Sequence, residues 1–312
     1  MTNFAKFFSS DDDSSCAKIK ASPSATKETA GALVATHFHL RNGSPSPTNV
    51  AQFPPFLEEP PCLRLDDSTP TSLLMTKGHA RPERDTCPKC GLKISFDLSI
   101  NSRHHACCMK RLCNGCNLEA CLQGINDTCP SCGKSMPDTD ASCLAMLREH
   151  AESGDAAAIG YIGVKCSFGA LGLRKNALDA IEWWSIAAEL GDADSQYELG
   201  RVYYYGDGVK QDKARAIRYW QKAAMQGQTD ARHGLGLAEF ERCDHDLAVQ
   251  HWMISAKMGY EKSLHTIKYI FLKGHATKAQ YAEALLGYQD ALEEMKSPWR
   301  VKAKAFYESL HS

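Results

Sequence analysis

Nine of the chain's 14 cysteines fall between Cys87 and Cys132, and no other feature restricts the possible fold as tightly. The order is Cys87-x2-Cys90, Cys107-Cys108, Cys113-x2-Cys116 and Cys129-x2-Cys132. A Cys-x2-Cys pair suits zinc, because one tight knuckle can aim two thiolates at a tetrahedral ion. Three such pairs and the adjacent pair supply eight sulfurs, enough for two closed four-sulfur sites. The alternative is a secreted disulfide framework. It needs a signal peptide, and Met1 to Lys20 lacks a basic start followed by an apolar core, with Asp11, Asp12 and Asp13 in its midst. Metal ligation in an intracellular chain, cytoplasmic or nuclear, is therefore the expectation. A finger of fewer than about 60 residues has too little core to fold unaided, so folding and zinc binding should be coupled.

The arrangement resembles the RING finger, a cross-braced domain in which ligand pairs one and three hold one zinc and pairs two and four the other. Pro88 and Pro130, each just after the first cysteine of its pair, fit that pattern. The resemblance implies a first site of Cys87, Cys90, Cys113 and Cys116 and a second of Cys107, Cys108, Cys129 and Cys132, with two Zn2+ ions. The second pair departs from the usual spacing, since its cysteines are adjacent. His104 or His105 could take the place of Cys107. Cys121 has no ligand spacing and reads as a small buried residue in a helix from Asn117 to Gly124. Cys143, Cys166 and Cys243 read as ordinary thiols.

As a family, RING fingers recruit a ubiquitin-conjugating enzyme and supply no nucleophile, so catalysis is by orientation. Recruitment in that family uses an apolar residue in the first knuckle, an aromatic in the central helix and a basic residue after the last cysteine; this sequence departs from the pattern, offering Lys89, then Leu118 and Leu122 with no Trp, then Gly133 with Lys134 one place later. The resemblance implies an E3 ubiquitin ligase, and the departures leave a non-catalytic adaptor as the alternative. A nucleic-acid reader does not fit: residues 81–134 carry eight Lys or Arg against five Asp or Glu, with no aromatic and basic stripe. The net charge of -1 points to no wholesale binding of nucleic acid or anionic membrane, and no run of apolar residues is long enough to span a bilayer.

Beyond residue 140 a period appears. Ala180-Ile181-Glu182-Trp183-Trp184 aligns with Ala216-Ile217-Arg218-Tyr219-Trp220 and with Ala248-Val249-Gln250-His251-Trp252. Ala187-Ala188, Ala223-Ala224 and Ser255-Ala256 follow in one slot, and Gly191, Gly227 and Gly259 close the units. Two helices per unit at a period near 36 predict a solenoid. Recurrence in register marks Trp184, Trp220 and Trp252 as core. Trp183, Tyr203, Tyr204, Tyr205, Tyr219 and Trp299 invite an interface reading. Asp192 and Thr229 are the expected N-caps. The Gly206-Asp-Gly-Val209 loop, the Ala pair and the closing glycine resemble the Sel1-like repeat, a relative of the tetratricopeptide repeat, which implies protein partners. Units are expected at Gly154–Leu190, Gly191–Gln226 and Gln228–Met258. A fourth starts near Tyr260, and Tyr281–Met295 and Pro298–Leu310 form closing helices.

Residues 1–80 are rich in Ser, Thr and Pro, with eight of the 13 prolines, and cannot bury enough apolar surface to offset chain entropy. The expected organisation is a disordered region at 1–80, a two-zinc RING-like domain at 81–140 and an all-α repeat solenoid at 141–312.

Overall fold

The computed structural model describes residues 71–309 apart from Asn126; the expectation for residues 1–70 lies outside them. The finger is small. Helix α2 (Leu98–Asn101) leads into strand β1 (Ser102–His105), which pairs antiparallel with β2 (Lys110–Cys113), Ser102 facing Cys113. Helix α3 (Asn114–Leu122) follows at once, three residues earlier than its sequence pattern suggests, because the Cys113 sulfur accepts from the Cys116 amide and caps it. Cys121 is half-buried rather than buried.

The array opens with α4 (Asp140–Glu152), whose Thr139 and Ser142 form a reciprocal capping box. Three antiparallel pairs then run α5 (Ala156–Phe168) with α6 (Ala177–Glu189), α7 (Ala193–Tyr205) with α8 (Lys213–Met225), and α9 (Thr229–Glu241) with α10 (His245–Lys257). Helices α11 (Glu261–Leu272), α12 (Lys278–Glu294) and α13 (Pro298–Ser309) close the chain. Asp192 caps α7 as expected, but Thr229 does not cap α9. Gln228 does so, its side-chain oxygen accepting from Ala231, while Thr229 is already helical. The closing glycines hold left-handed backbone, Gly191 at φ 94° and Gly259 at φ 92°, where a side chain would be strained. The shorter third unit is explained by its inner turn: only 242–244 separate α9 from α10, against 206–212 between α7 and α8.

One contact recurs in every pair. A glycine on the first helix lies flat against the tryptophan of the second: Gly163 on Trp184, Gly200 on Trp220 and Gly236 on Trp252. A Cβ on Gly200 would stand 2.3 Å from the Trp220 ring. The three tryptophans are buried, and the Trp220 and Trp252 indoles donate to Tyr197 O and His233 O at 3.3 and 3.1 Å. Trp183 and Tyr204 are also core residues, so of the aromatics that suggested an interface Tyr205 is the exposed one. Tyr203 and Tyr219 stack 6.1 Å apart with Arg215 over both rings. Among the thiols outside the finger's pairs, Cys243 is disulfide-bonded rather than free.

Order begins before residue 80. Helix α1 (Thr71–Thr76) puts Leu74 into the core formed by Ile217, Trp220, Ala224 and Leu235. The fully buried Arg232 holds this segment by donating to Leu74 O, Lys77 O and Ala224 O at 2.7, 2.5 and 3.1 Å. Composition hid this: the partners that order residues 71–80 lie some 150 residues away. The chain then crosses the junctions between units. Ala80 O abuts Gly227, and Arg84 reaches Asp192 and Asp194 at 2.6 and 3.0 Å. Phe96 meets Tyr260 in a T-shaped contact at 5.4 Å, and Arg81 lies over the Phe96 ring at 4.0 Å.

Two buried histidines make the array acid-sensitive. Ser255 donates to Thr229 O and Ser263 donates to Ser255, so His233 Nδ1 must carry the proton it gives to Ser263 at 2.8 Å. Burial pushes His233 and His251 down to about 3. The unfolded chain, with histidines near 6.5, then binds more protons between those values, so stability falls as pH drops below about 6.5. In urea titrations, wild type should lose about 1 kcal/mol more than His251→Phe between pH 7 and 5.5. Equal losses would remove His251 as a source.

Candidate metal centres

Each Cys-Pro-x-Cys-Gly stretch folds into the same knuckle. At the first, Cys87 N donates to Leu92 O and Gly91 N to Cys87 O, at 3.0 and 2.9 Å. At the second, Cys129 N donates to Lys134 O and Gly133 N to Cys129 O, at 2.7 and 2.8 Å. Gly91 and Gly133 take φ of 70° and 74°, which turns the chain so that both sulfurs face one point. The Gly that follows each of these pairs is the signal in the sequence for this turn. The third pair is built differently. Cys113 ends β2 and Cys116 sits in the first turn of α3, so the strand–helix corner aims the two thiols together.

The hairpin and α3 interleave these pairs. Cys87, Cys90, Cys113 and Cys116 form one group and Cys107, Cys108, Cys129 and Cys132 the other, each with all sulfurs within 4.8 Å. Cys107 and Cys132 sulfurs are 3.6 Å apart, Cys108 and Cys129 3.9 Å, Cys90 and Cys113 3.9 Å. Zn–S bonds of about 2.3 Å at tetrahedral angles imply S···S edges of about 3.8 Å. The donor set therefore suits zinc in number, type and spacing. Amide donors to sulfur complete it: Cys113 N to Cys87, Cys116 N to Cys113 and Ser131 N to Cys129, at 3.4–3.5 Å.

Neither histidine joins a group. His105 Nε2 bonds Asn117 Oδ1 at 3.2 Å, and His104 stacks on Tyr161 at 4.2 Å, its pKa pushed down to about 3 by burial. The thiols resist joint ionisation without a cation. Cys87 is drawn far down by hydrogen bonds from Cys113 and Cys116, while hydrogen bonding to Cys113 and Cys87 drives Cys116 far up. Burial, then Cys132 and Cys129, raises Cys107. A divalent ion reverses this, since it stabilises all four thiolates at once.

The surface expected to recruit a conjugating enzyme is partly engaged. Lys89 pairs with Glu119 of α3 at 3.2 Å. Leu118 is buried, whereas Leu122 is 59% exposed and Lys134 is exposed. Another side of α3 carries α13. Among the described residues no helix is long and apolar enough to cross a membrane.

Comparison with known proteins bears on the array. Residues 156–192 and 193–228 match the model of the Sel1 repeat, within two residues of the first two units read from the sequence. No curated protein matches the chain. Among solved structures, a Sel1 repeat protein from Oxalobacter formigenes aligns at 28% identity over 49% of this chain and 64% of its own, with a TM-score of 0.43. The protein c5321, a protective antigen of uropathogenic Escherichia coli displaying an SLR fold, aligns at 26% identity over 51% of this chain and 35% of its own, with a TM-score of 0.45. The chain thus spans less than two thirds of either neighbour's length. Residues 156–228 are accordingly two Sel1 repeats, set within a longer all-α array that holds two four-cysteine groups at its edge.

Proposed function

We propose that this is a two-zinc, RING-type protein that recruits a ubiquitin-conjugating enzyme through its finger and a protein partner or substrate through its repeats. The observation that carries the reading is the interleaving of the cysteine pairs, one with three and two with four, at distances that suit zinc. The eight cysteines from Cys87 to Cys132 are the proposed ligands. Zinc would fix the knuckles, and the residues around them would do the docking. Leu122 offers an exposed apolar contact on α3, Lys134 a cation beside the last knuckle, and Lys89 a polar side chain tied to Glu119. No side chain in this finger acts as a nucleophile in the reading; orientation of a bound thioester is the whole contribution. The domains follow as a finger from about residue 81 to 140 and a repeat array from about 141.

The second reading is a non-catalytic adaptor that keeps zinc for folding. It is favoured by the packing of α13 on α3 and by the Lys89–Glu119 pair, which commit part of the finger's surface within the chain. Self-ubiquitination of zinc-loaded chain with a panel of conjugating enzymes separates the two. Under the ligase reading, chains form with at least one enzyme and vanish in Cys87→Ser. No chains with any enzyme, from protein shown to hold two zincs, would establish the adaptor instead.

A further inference from the structure

The last helix returns to the finger 210 residues after the first knuckle. Arg300, in its first turn, donates to Lys93 O at 2.5 Å, Leu92 O at 3.1 Å and Met295 O at 2.7 Å, and its Nη2 lies 3.5 Å from the Cys90 sulfur. The same turn rests on the third cysteine pair. Gly115 sits between Cys113 and Cys116, and a Cβ there would stand 2.7 Å from Arg300 N and 2.8 Å from the Trp299 carbonyl carbon. One turn of α13 therefore touches both pairs of the first quartet. The second quartet is braced elsewhere: Ala106 packs with Leu147, Ala151 and Ile162 at the start of the array, and His104 stacks on Tyr161.

We propose that Arg300 is a positioning residue for the first metal site, so that zinc held by Cys87, Cys90, Cys113 and Cys116 and the seating of α13 on the finger stabilise each other. The inference rests on the zinc reading above. Four thiolates on a dication leave two negative charges, and a guanidinium hydrogen-bonded to one of the sulfurs offsets part of them. Arg300 is itself fixed by carbonyls from both sides, Leu92 and Lys93 of the knuckle and Met295 at the end of α12. Its fork thus joins the finger to the end of the array. Loss of the ion removes the anion it faces and loosens the knuckle carbonyls it binds. Loss of the arginine leaves the cluster's charge uncompensated on that side.

The test uses the full chain loaded with cobalt, whose thiolate charge-transfer band reports ligation. Cysteine alkylation under limiting chelator, mapped by mass spectrometry, separates the two quartets. In Arg300→Ala, Cys90 and Cys113 should become alkylated about 10–100-fold faster, as expected for loss of a partner outside the ligand sphere, with Cys107 and Cys129 unchanged. Arg300→Lys keeps the charge but not the fork and should fall between. In wild type, chelation should speed hydrogen exchange of 298–309 by more than about tenfold. Two bound cobalts with α13 exchange indifferent to metal, or Arg300→Ala protecting both quartets like wild type, would overturn the coupling alone. A wild-type chain that takes up no cobalt would overturn the zinc reading itself.

Discussion

Chelation of the zinc-loaded chain should unfold residues 81–137 while helices α5 to α10 persist. The reason is the finger's core. Its buried cluster is Cys87, Ile94, Leu112, Cys113 and Cys116, with Leu98 against it, so half of these six residues are proposed ligands. Three aliphatic side chains are too few to offset the entropy of ordering a stretch of this length. A structural zinc contributes about 10–16 kcal/mol. The array has its own clusters around Trp183, Trp184, Trp220 and Trp252, none of which includes a cysteine of the two four-cysteine groups. Hydrogen exchange should therefore show amide protection lost across both knuckles and the β1–β2 hairpin, and kept in the repeats. Cys87→Ser should act the same way on the finger. Full protection of residues 87–133 after verified metal removal would show that the finger stands on packing alone.

Trp220→Ala should destabilise the array by about 3–5 kcal/mol. The indole is 2% exposed, lies between Gly200 and Gly234, meets Tyr204 at 4.7 Å, and donates to Tyr197 O. Removing it opens a cavity against Gly200 and Gly234, which carry no side chain that could fill it. It also removes the packing for Leu74 and so loosens α1. For a unit of this size each kcal/mol lowers the melting temperature by about 2–4 °C, so a fall of about 10 °C is expected by calorimetry. A shift under about 2 °C would mean that the recurring Gly–Trp contact is not what holds a unit together.

The parts of the structure that were legible beforehand share a physical cause. Covalent spacing brings Cys87 to Cys90, Cys113 to Cys116 and Cys129 to Cys132, and the recurring alanines, glycines and tryptophans of the array meet within one or two helices of each other. Local chemistry of that kind is written into neighbouring residues, which is why the repeat boundaries, the Asp192 cap and the core tryptophans could be read directly. Where two local candidates compete, the sequence does not rank them: Gln228 takes the cap from Thr229, and the Cys113 sulfur starts α3 early.

What the sequence could not supply is any pairing between distant segments. Nothing near Leu74 shows that Arg232 will bind its carbonyl, nothing near Gly115 shows that Trp299 and Arg300 will rest on it, and nothing near Arg84 shows Asp192. Each joins segments far apart in the chain, so neighbouring residues carry no signature of it. The sequence by itself determined the knuckles, the repeat and the buried tryptophans, because their partners lie within one unit. Tertiary structure alone decided that the finger is gripped by both ends of the array, with Tyr161 on one side and Arg300 on the other, because that contact exists only once every intervening helix has taken its place.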